Sequence, residues 1–385
     1  PEKRAAVAVA LREREARGLA LRLDGRTKEA DALPDPRAAY PTYPELAGDQ
    51  VLCESWAGDC LARVREHPAV TSAFVQANRP ALEAMLALAA HDGFRIGIAQ
   101  HAYSLIPGFS GHHRLVPTHF AARFALGERG LALSGLCADL AGWRRIGNDN
   151  DHLITSMLAN AYARQDLRLL AEFAAALPND EPVPAACVEA IAPGEPVEAS
   201  LCDAMRGEFA YMRSSFEVAR ADPDSDVDVG GRLLSPERMR ALLAPHYAFY
   251  CSPEAAEQAA ADEALVLPEA SRARCPRWEF AFDPVDCILV GIAGGNDLGS
   301  YADRRTDLVA ELALMRTLLW LRDTDPDPRP RAQRLRERPA SLGLRRAVEL
   351  ADDGHTLVMP LLETRREPEV RLPLPPLEVA THVMQ

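Results

Sequence analysis

The chain has 385 residues, 48% of them hydrophobic and 26% charged, a composition that excludes a disordered or fibrous protein and allows about two domains or one elaborate one. Its formal net charge is −13 at a sequence pI near 5.3. The overall field therefore repels phosphate backbones and anionic lipid, and nucleic acid is not an expected partner.

Residues 5–23 read as a first amphipathic helix ending near Gly25, followed by a proline- and tyrosine-rich connector at 34–44. Ser55 is the expected N-cap of a short helix running to His67. Residues 69–91 carry apolar positions at helical spacing, broken at Pro80 and ended by His91-Asp92-Gly93, with the glycine expected at positive φ. From 118 to 178 the pattern predicts three consecutive helices with turns at 127–130 and 147–150. Leu131, Leu133, Leu136, Leu140 and Trp143 line one face of the middle helix.

The proline- and acid-rich stretch 178–198 is the best boundary, separating an N-terminal helical domain (1–180) from a C-terminal, mainly helical one (199–385), unless the two form one continuous domain. Helix resumes at 199–220, then an acidic loop, then two short helices announced by Ser235-Pro236 and Ser252-Pro253, each an N-cap with proline at the first helical position. Residues 277–282 alternate and 285–292 are nearly all apolar, so short strands are expected near 277–292, with the glycine-rich 291–299 turning into a long helix at 301–321. A turn at 352–355 leads into a short strand at 355–361. The expected fold is mainly α, a multi-helix bundle or array of antiparallel helical hairpins with a few short strands; no fixed repeat period is present.

The eight cysteines form no CxxC, which removes the spacing of zinc-ribbon and thioredoxin-type sites. They fall in sequence-local pairs, Cys53 with Cys60, Cys187 with Cys202 and Cys275 with Cys287, which suggests three locally closed loops. On one straight helix Cys53 and Cys60 would lie about 10 Å apart, beyond the roughly 7 Å limit for a bridge. With Ser55 as N-cap, Cys53 can fold back over the first turn; buried free thiols and a metal clip are the alternatives. Cys137, on an apolar helix face, reads as a reduced core residue. A single bridge would already point to an oxidising compartment such as a periplasm or the cell exterior.

Asp222, Asp224, Asp226 and Asp228 place carboxylates at every second residue, which suits a hard cation such as calcium, although the loop is no EF-hand and a solvated acidic loop is the plainer reading. The segment from His101 to His119, with His112 and His113 adjacent, could supply a general base or metal ligands, but no HExxH accompanies it. Gly108-Phe109-Ser110-Gly111-His112 misses the spacing of a nucleophile elbow, and 291–299 misses that of a dinucleotide fingerprint. Lys3 and Lys28 are the only lysines and neither sits in a phosphate loop or Schiff-base setting. No cofactor is expected. One basic run, 329–346, could face an acidic partner or form a solvated arginine-rich surface.

The segments 53–68 (CESWAGDCLARVREHP) and 131–164 (LALSGLCADLAGWRRIGNDNDHLITSMLANAYAR), with the helix after 296–299, together resemble a family of uncharacterised, mostly helical bacterial envelope proteins. The resemblance implies a periplasmic location behind an N-terminal membrane segment and an all-α core, and it carries over no catalytic residue. The start at Pro1, without methionine, fits a product from which such a segment has been removed. The expected function is that of an extracytoplasmic helical binding protein for a protein partner or envelope component, immunity-like inhibition of a toxin being one version of that role. The alternative is a hydrolase acting on an envelope substrate through the loop from His101 to His119.

Overall fold

Amphipathic stripes separated by proline, glycine and short polar turns become helices throughout the computed structural model, which describes residues 2–39, 46, 52–53, 58–98, 100–104, 111–194, 196–221, 235–273, 275, 284–295, 298–325, 327, 329–365 and 367–376. The N-terminal part holds α1 (Glu2–Leu23), α2 (Thr27–Asp31), α3 (Cys60–Glu66), α4 (Pro68–Ala77) and α5 (Arg79–Ala89). Three longer helices follow, α6 (Leu115–Ala125), α7 (Arg129–Asn148) and α8 (Leu153–Ala176), then the short α9 (Ala185–Ala190). The remainder comprises α10 (Cys202–Ala221), α11 (Pro236–Phe249), α12 (Pro253–Ala261), α13 (Pro284–Gly295), α14 (Gly299–Asp323) and α15 (Arg331–Arg336). A small antiparallel sheet closes the chain, β1 (Glu349–Leu350), β2 (Thr356–Pro360) and β3 (Glu369–Pro373) in the order β1-β2-β3, with Leu357 opposite Leu372 and Met359 opposite Val370. The protein is mainly α-helical, as its periodicity predicts.

Helix starts follow local chemistry in part. Ser235 and Ser252 accept backbone N–H bonds from Arg238 and Ala255, each with proline at the first helical position, as their sequences foretell. His152 caps α8 in the same way, its ring accepting from the backbone N–H of Thr155 at 3.3 Å. The short helix after Cys53 begins at Cys60, with Asp59 at its N-cap position, rather than near Ser55, which lies outside the described residues. Gly93 does not take positive φ. Its missing side chain instead makes room for Asp149, whose backbone carbonyl would lie 2.7 Å from an added Cβ. Gly142 serves likewise where α7 meets the backbone of Ala89 at the end of α5.

The apolar run 285–292 is helix α13, not strand. A short apolar run bounded by turn residues is ambiguous by periodicity, and Pro284 at the first helical position decides it here. Residues 277–283 lie outside the described residues, as do Asn296 and Asp297. The element before α14 is accordingly a helix, not a strand.

All eight cysteines are paired. Cys53–Cys60 and Cys275–Cys287 form as their spacing suggests, with Cα–Cα separations of 5.1 and 5.2 Å. The pairing of Cys187 with Cys202 is overturned, and so is the reading of Cys137 as a reduced core residue. Cys137 bonds Cys187, and Cys202 bonds Cys251. The reason is packing: α9 lies along α7 and α10 along α11, so bridges form between helices that are distant in sequence rather than within loops.

Two apolar clusters organise the interior. The larger joins α3 to α9 with α14, α15 and the sheet, through residues such as Trp143, Phe173, Leu314, Leu357 and Val370. The smaller gathers Leu201, Met205, Met239, Leu243, Tyr247 and Val290 around α10, α11 and α13. The stretch 178–198 is bound into this interior. Ala190 and Ile191 are core residues, and Arg144 holds Glu198 through Nε at 2.6 Å and Nη2 at 2.8 Å.

The basic run 329–346 is in part spent on ion pairs within the chain. Arg331 and Arg334 both pair with Asp325, Arg329 with Asp327 and Glu337, and Arg346 with Asp262 and Asp307. Arg336 and Arg345 stay exposed, so the rest of the run is a solvated basic surface.

Candidate functional site

Among the described residues one cluster of titratable groups stands out, and it lies where α6, α7 and α8 meet. His113 sits in the single 3₁₀ turn (His112–Arg114) that leads into α6, Asp139 projects from α7 and Asp166 from α8. One ligand atom from each of the three lies within 4.8 Å of the other two, and all three residues are buried. His113 Nε2 is 3.3 Å from Asp139 Oδ2, and His113 Nδ1 is 3.3 Å from Gln165 Oε1. Trp143 Nε1–H donates to the same Asp139 Oδ2 at 3.0 Å.

Aromatic rings wall the cluster. The imidazole stacks on Tyr162 with ring centroids 3.7 Å apart and meets Trp143 edge-on at 5.4 Å. These rings hold the imidazole plane in one orientation and exclude water.

The carboxyl groups are the costly part. Asp166 is fully buried, and neither of its oxygens meets a hydrogen-bond donor from another residue; Asp139 Oδ1 and Gln165 Nε2 also lack partners. Burial foremost, and the neighbouring Asp139 next, push the Asp166 carboxyl well above its ordinary range. The contact between the two carboxyls becomes a hydrogen bond only when one of them keeps a proton. The cluster therefore offers one imidazole nitrogen and two carboxylates to a small cation, or else shares a proton.

Sequence reading singled out only His113 of this set. A signal for the others was present: Asp139 falls three residues after Leu136 and four before Trp143, on the very stripe that faces the core, and Asp166 is flanked by Gln165 and Leu167 in a helix buried on every side. Acidic residues on a buried stripe must be neutralised by something.

The other expected site residues disperse. His101 is buried beside the charges of Glu15 and Arg22, its Nδ1 accepting from the backbone N–H of Tyr103 at 3.2 Å, and burial lowers its pKa. His112 is partly exposed on the 3₁₀ turn, and His119 lies partly buried on α6, again lowered by burial. Ser110 and the aspartates Asp222, Asp224, Asp226 and Asp228 lie outside the described residues. Within the segment from His101 to His119, His113 meets Asp139 at a point sealed from solvent.

A second buried group bears on the first cysteine pair. Glu172 of α8 accepts the backbone N–H of Cys60 at 3.3 Å and of Leu61 at 2.7 Å, acting as a tertiary cap for α3, whose own N-cap position, Asp59, makes no side-chain cap bond. Burial raises its pKa to about 7, partly opposed by those two N–H donors.

Fold and site together define a mainly helical, disulfide-stapled protein with a sealed polar centre. Its four disulfides fit an extracellular or otherwise oxidising compartment, and no described helix is long and apolar enough to cross a membrane. No family model matches the chain, and neither a curated protein nor a solved structure matches it.

Proposed function

We propose that the protein is an extracytoplasmic binding protein of the bacterial envelope, held at the membrane by a segment outside the chain, whose partner presents a basic protein surface. The observation that carries this reading is the charge distribution. The chain bears a net −13, and in its one long basic run Arg329, Arg331, Arg334 and Arg346 are paired with Asp325, Asp327, Glu337, Asp262 and Asp307. A net negative charge of this size steers cationic partners and repels nucleic acid. An inhibitor of a basic toxin is one protein with these properties. A hydrolase working through His113 would need that imidazole open to substrate, whereas it is walled by Tyr162 and Trp143.

The test is capture from native envelope extract on the immobilised, oxidised protein, with mass spectrometry of what elutes along a salt gradient. A basic protein retained at low salt and released well before about 1 M, where the Debye length falls to roughly 3 Å, supports the proposal. Retention that ignores salt, or turnover of an envelope polymer by the purified protein, overturns it.

A further inference from the structure

We infer that His113, Asp139 and Asp166 form a closed, structural binding site for one small divalent cation of zinc type, taken up as the chain folds. The inference does not depend on the binding role proposed above.

The donor set is the first argument. One imidazole nitrogen and two carboxylates, contributed by three different helical elements, lie within 4.8 Å of one another. The ligand atoms of a tetrahedral zinc are spaced by roughly 3.4 Å, and His113 Nε2 and Asp139 Oδ2 already stand 3.3 Å apart. Asp166 closes the third corner by rotating about its own side-chain torsions.

The surroundings are the second argument. Gln165 Oε1 faces His113 Nδ1 at 3.3 Å, which places the imidazole hydrogen on Nδ1 and turns the Nε2 lone pair inward, as the outer partners of metal-bound histidines do. Trp143 Nε1–H orients Asp139 from outside the cluster. Both Asp166 oxygens and Asp139 Oδ1 are buried without a protein donor. Two sealed carboxyl groups with one imidazole beside them require a counter-charge, either a proton or a cation.

Function follows from closure. The three donors fill three of the four positions of a tetrahedral ion; all three are buried, with Tyr162, Trp143 and Gln165 around His113, so the fourth position is shut off from bulk solvent and substrate and the ion joins α6, α7 and α8 rather than performing chemistry. A buried site also fills during folding, when its ligands are still accessible. Zinc should therefore act on refolding, and chelator should strip the native protein only slowly.

The experiment refolds the oxidised protein from denaturant with chelator, or with stoichiometric Zn²⁺ or Ca²⁺, and measures bound metal by elemental analysis and the midpoint of thermal unfolding. The expected result is close to one zinc per chain, a raised Tm with zinc and none with calcium. Asp166→Asn, which mimics a protonated carboxyl and should fold, loses both the zinc and the shift. A chain in which Asp222, Asp224, Asp226 and Asp228 are all changed to Asn keeps both. Zinc-independent refolding of the parent protein to the same Tm without bound metal shows that the pair holds a proton only and overturns the inference. Retention of zinc by Asp166→Asn, or its loss with the loop variant, overturns it as well.

Discussion

Glu172 shows how one buried side chain links the first disulfide loop to the helical core and to pH. Its carboxyl accepts the first N–H groups of α3 at Cys60 and Leu61, so it anchors the helix that carries one half of the Cys53–Cys60 bridge. The folded pKa of about 7 lies above the ordinary 4.5. Below about pH 4.5 both folded and unfolded chains hold the proton and the group is neutral to stability. Between 4.5 and 7 the unfolded chain releases it while the folded one keeps it, so stability falls as pH rises; above 7 the cost is constant. Each unit of pKa is worth about 1.4 kcal/mol, and residual solvation reduces the total to about 2 kcal/mol. Glu172→Gln keeps one acceptor oxygen and cannot ionise. Urea unfolding at pH 4.5 and 7.5 should show the variant gaining about 2 kcal/mol on the parent across that interval; a difference independent of pH would show that Glu172 is not held in the protonated form.

At the scale of elements, the long-range bridges carry more than the local ones. Cys137–Cys187 and Cys202–Cys251 close separations of 50 and 49 residues, against 7 for Cys53–Cys60. Chain entropy alone makes the long closures worth about 4 kcal/mol each and the short one about 2 kcal/mol. Replacing both Cys137 and Cys187 by Ala should therefore lower stability by roughly twice as much as replacing Cys53 and Cys60, measured by denaturant midpoints at constant m value. Equal losses would mean that the helices of α7 and α9 are held by packing and not by the bridge. The same comparison explains what was readable beforehand. Helix starts at Ser235 and Ser252, and the bridge within CESWAGDC, depend on residues a few positions apart, and local spacing reveals them. The partners of Cys137 and Cys202 depend on which helices pack together, and Asp139 and Asp166 become a cluster only when α7 crosses α8. The run 285–292 is ambiguous for a different reason: its apolar residues suit strand and buried helix alike, and the one local signal for helix is Pro284 at its start.

At the scale of the molecule, two helices run through both apolar clusters. Leu153 at the start of α8 belongs to the smaller cluster, while Leu167, Leu170 and Phe173 further along belong to the larger. Ala302 and Leu308 of α14 divide in the same way. Polar contacts reinforce the crossing: Asn160 Nδ2–H donates to the carbonyl of Arg304 at 2.9 Å, Arg164 Nε–H donates to Glu311 at 2.7 Å, and Arg305 reaches Asn148 at 2.6 Å. A rigid rod that is buried at both ends cannot leave one cluster without disturbing the other, so the clusters should melt together. In scanning calorimetry of the oxidised protein the calorimetric and van't Hoff enthalpies should agree, with a single transition. A fragment ending at residue 199 lacks α14 and the sheet, which leaves Arg164 without Glu311 and the buried face of α8 uncovered. Such a fragment should keep helical circular dichroism, bind a hydrophobic dye and unfold without a sharp transition. Two separate calorimetric transitions in the intact chain, or a cooperative fragment, would show that α8 and α14 lie across two independent units without coupling them.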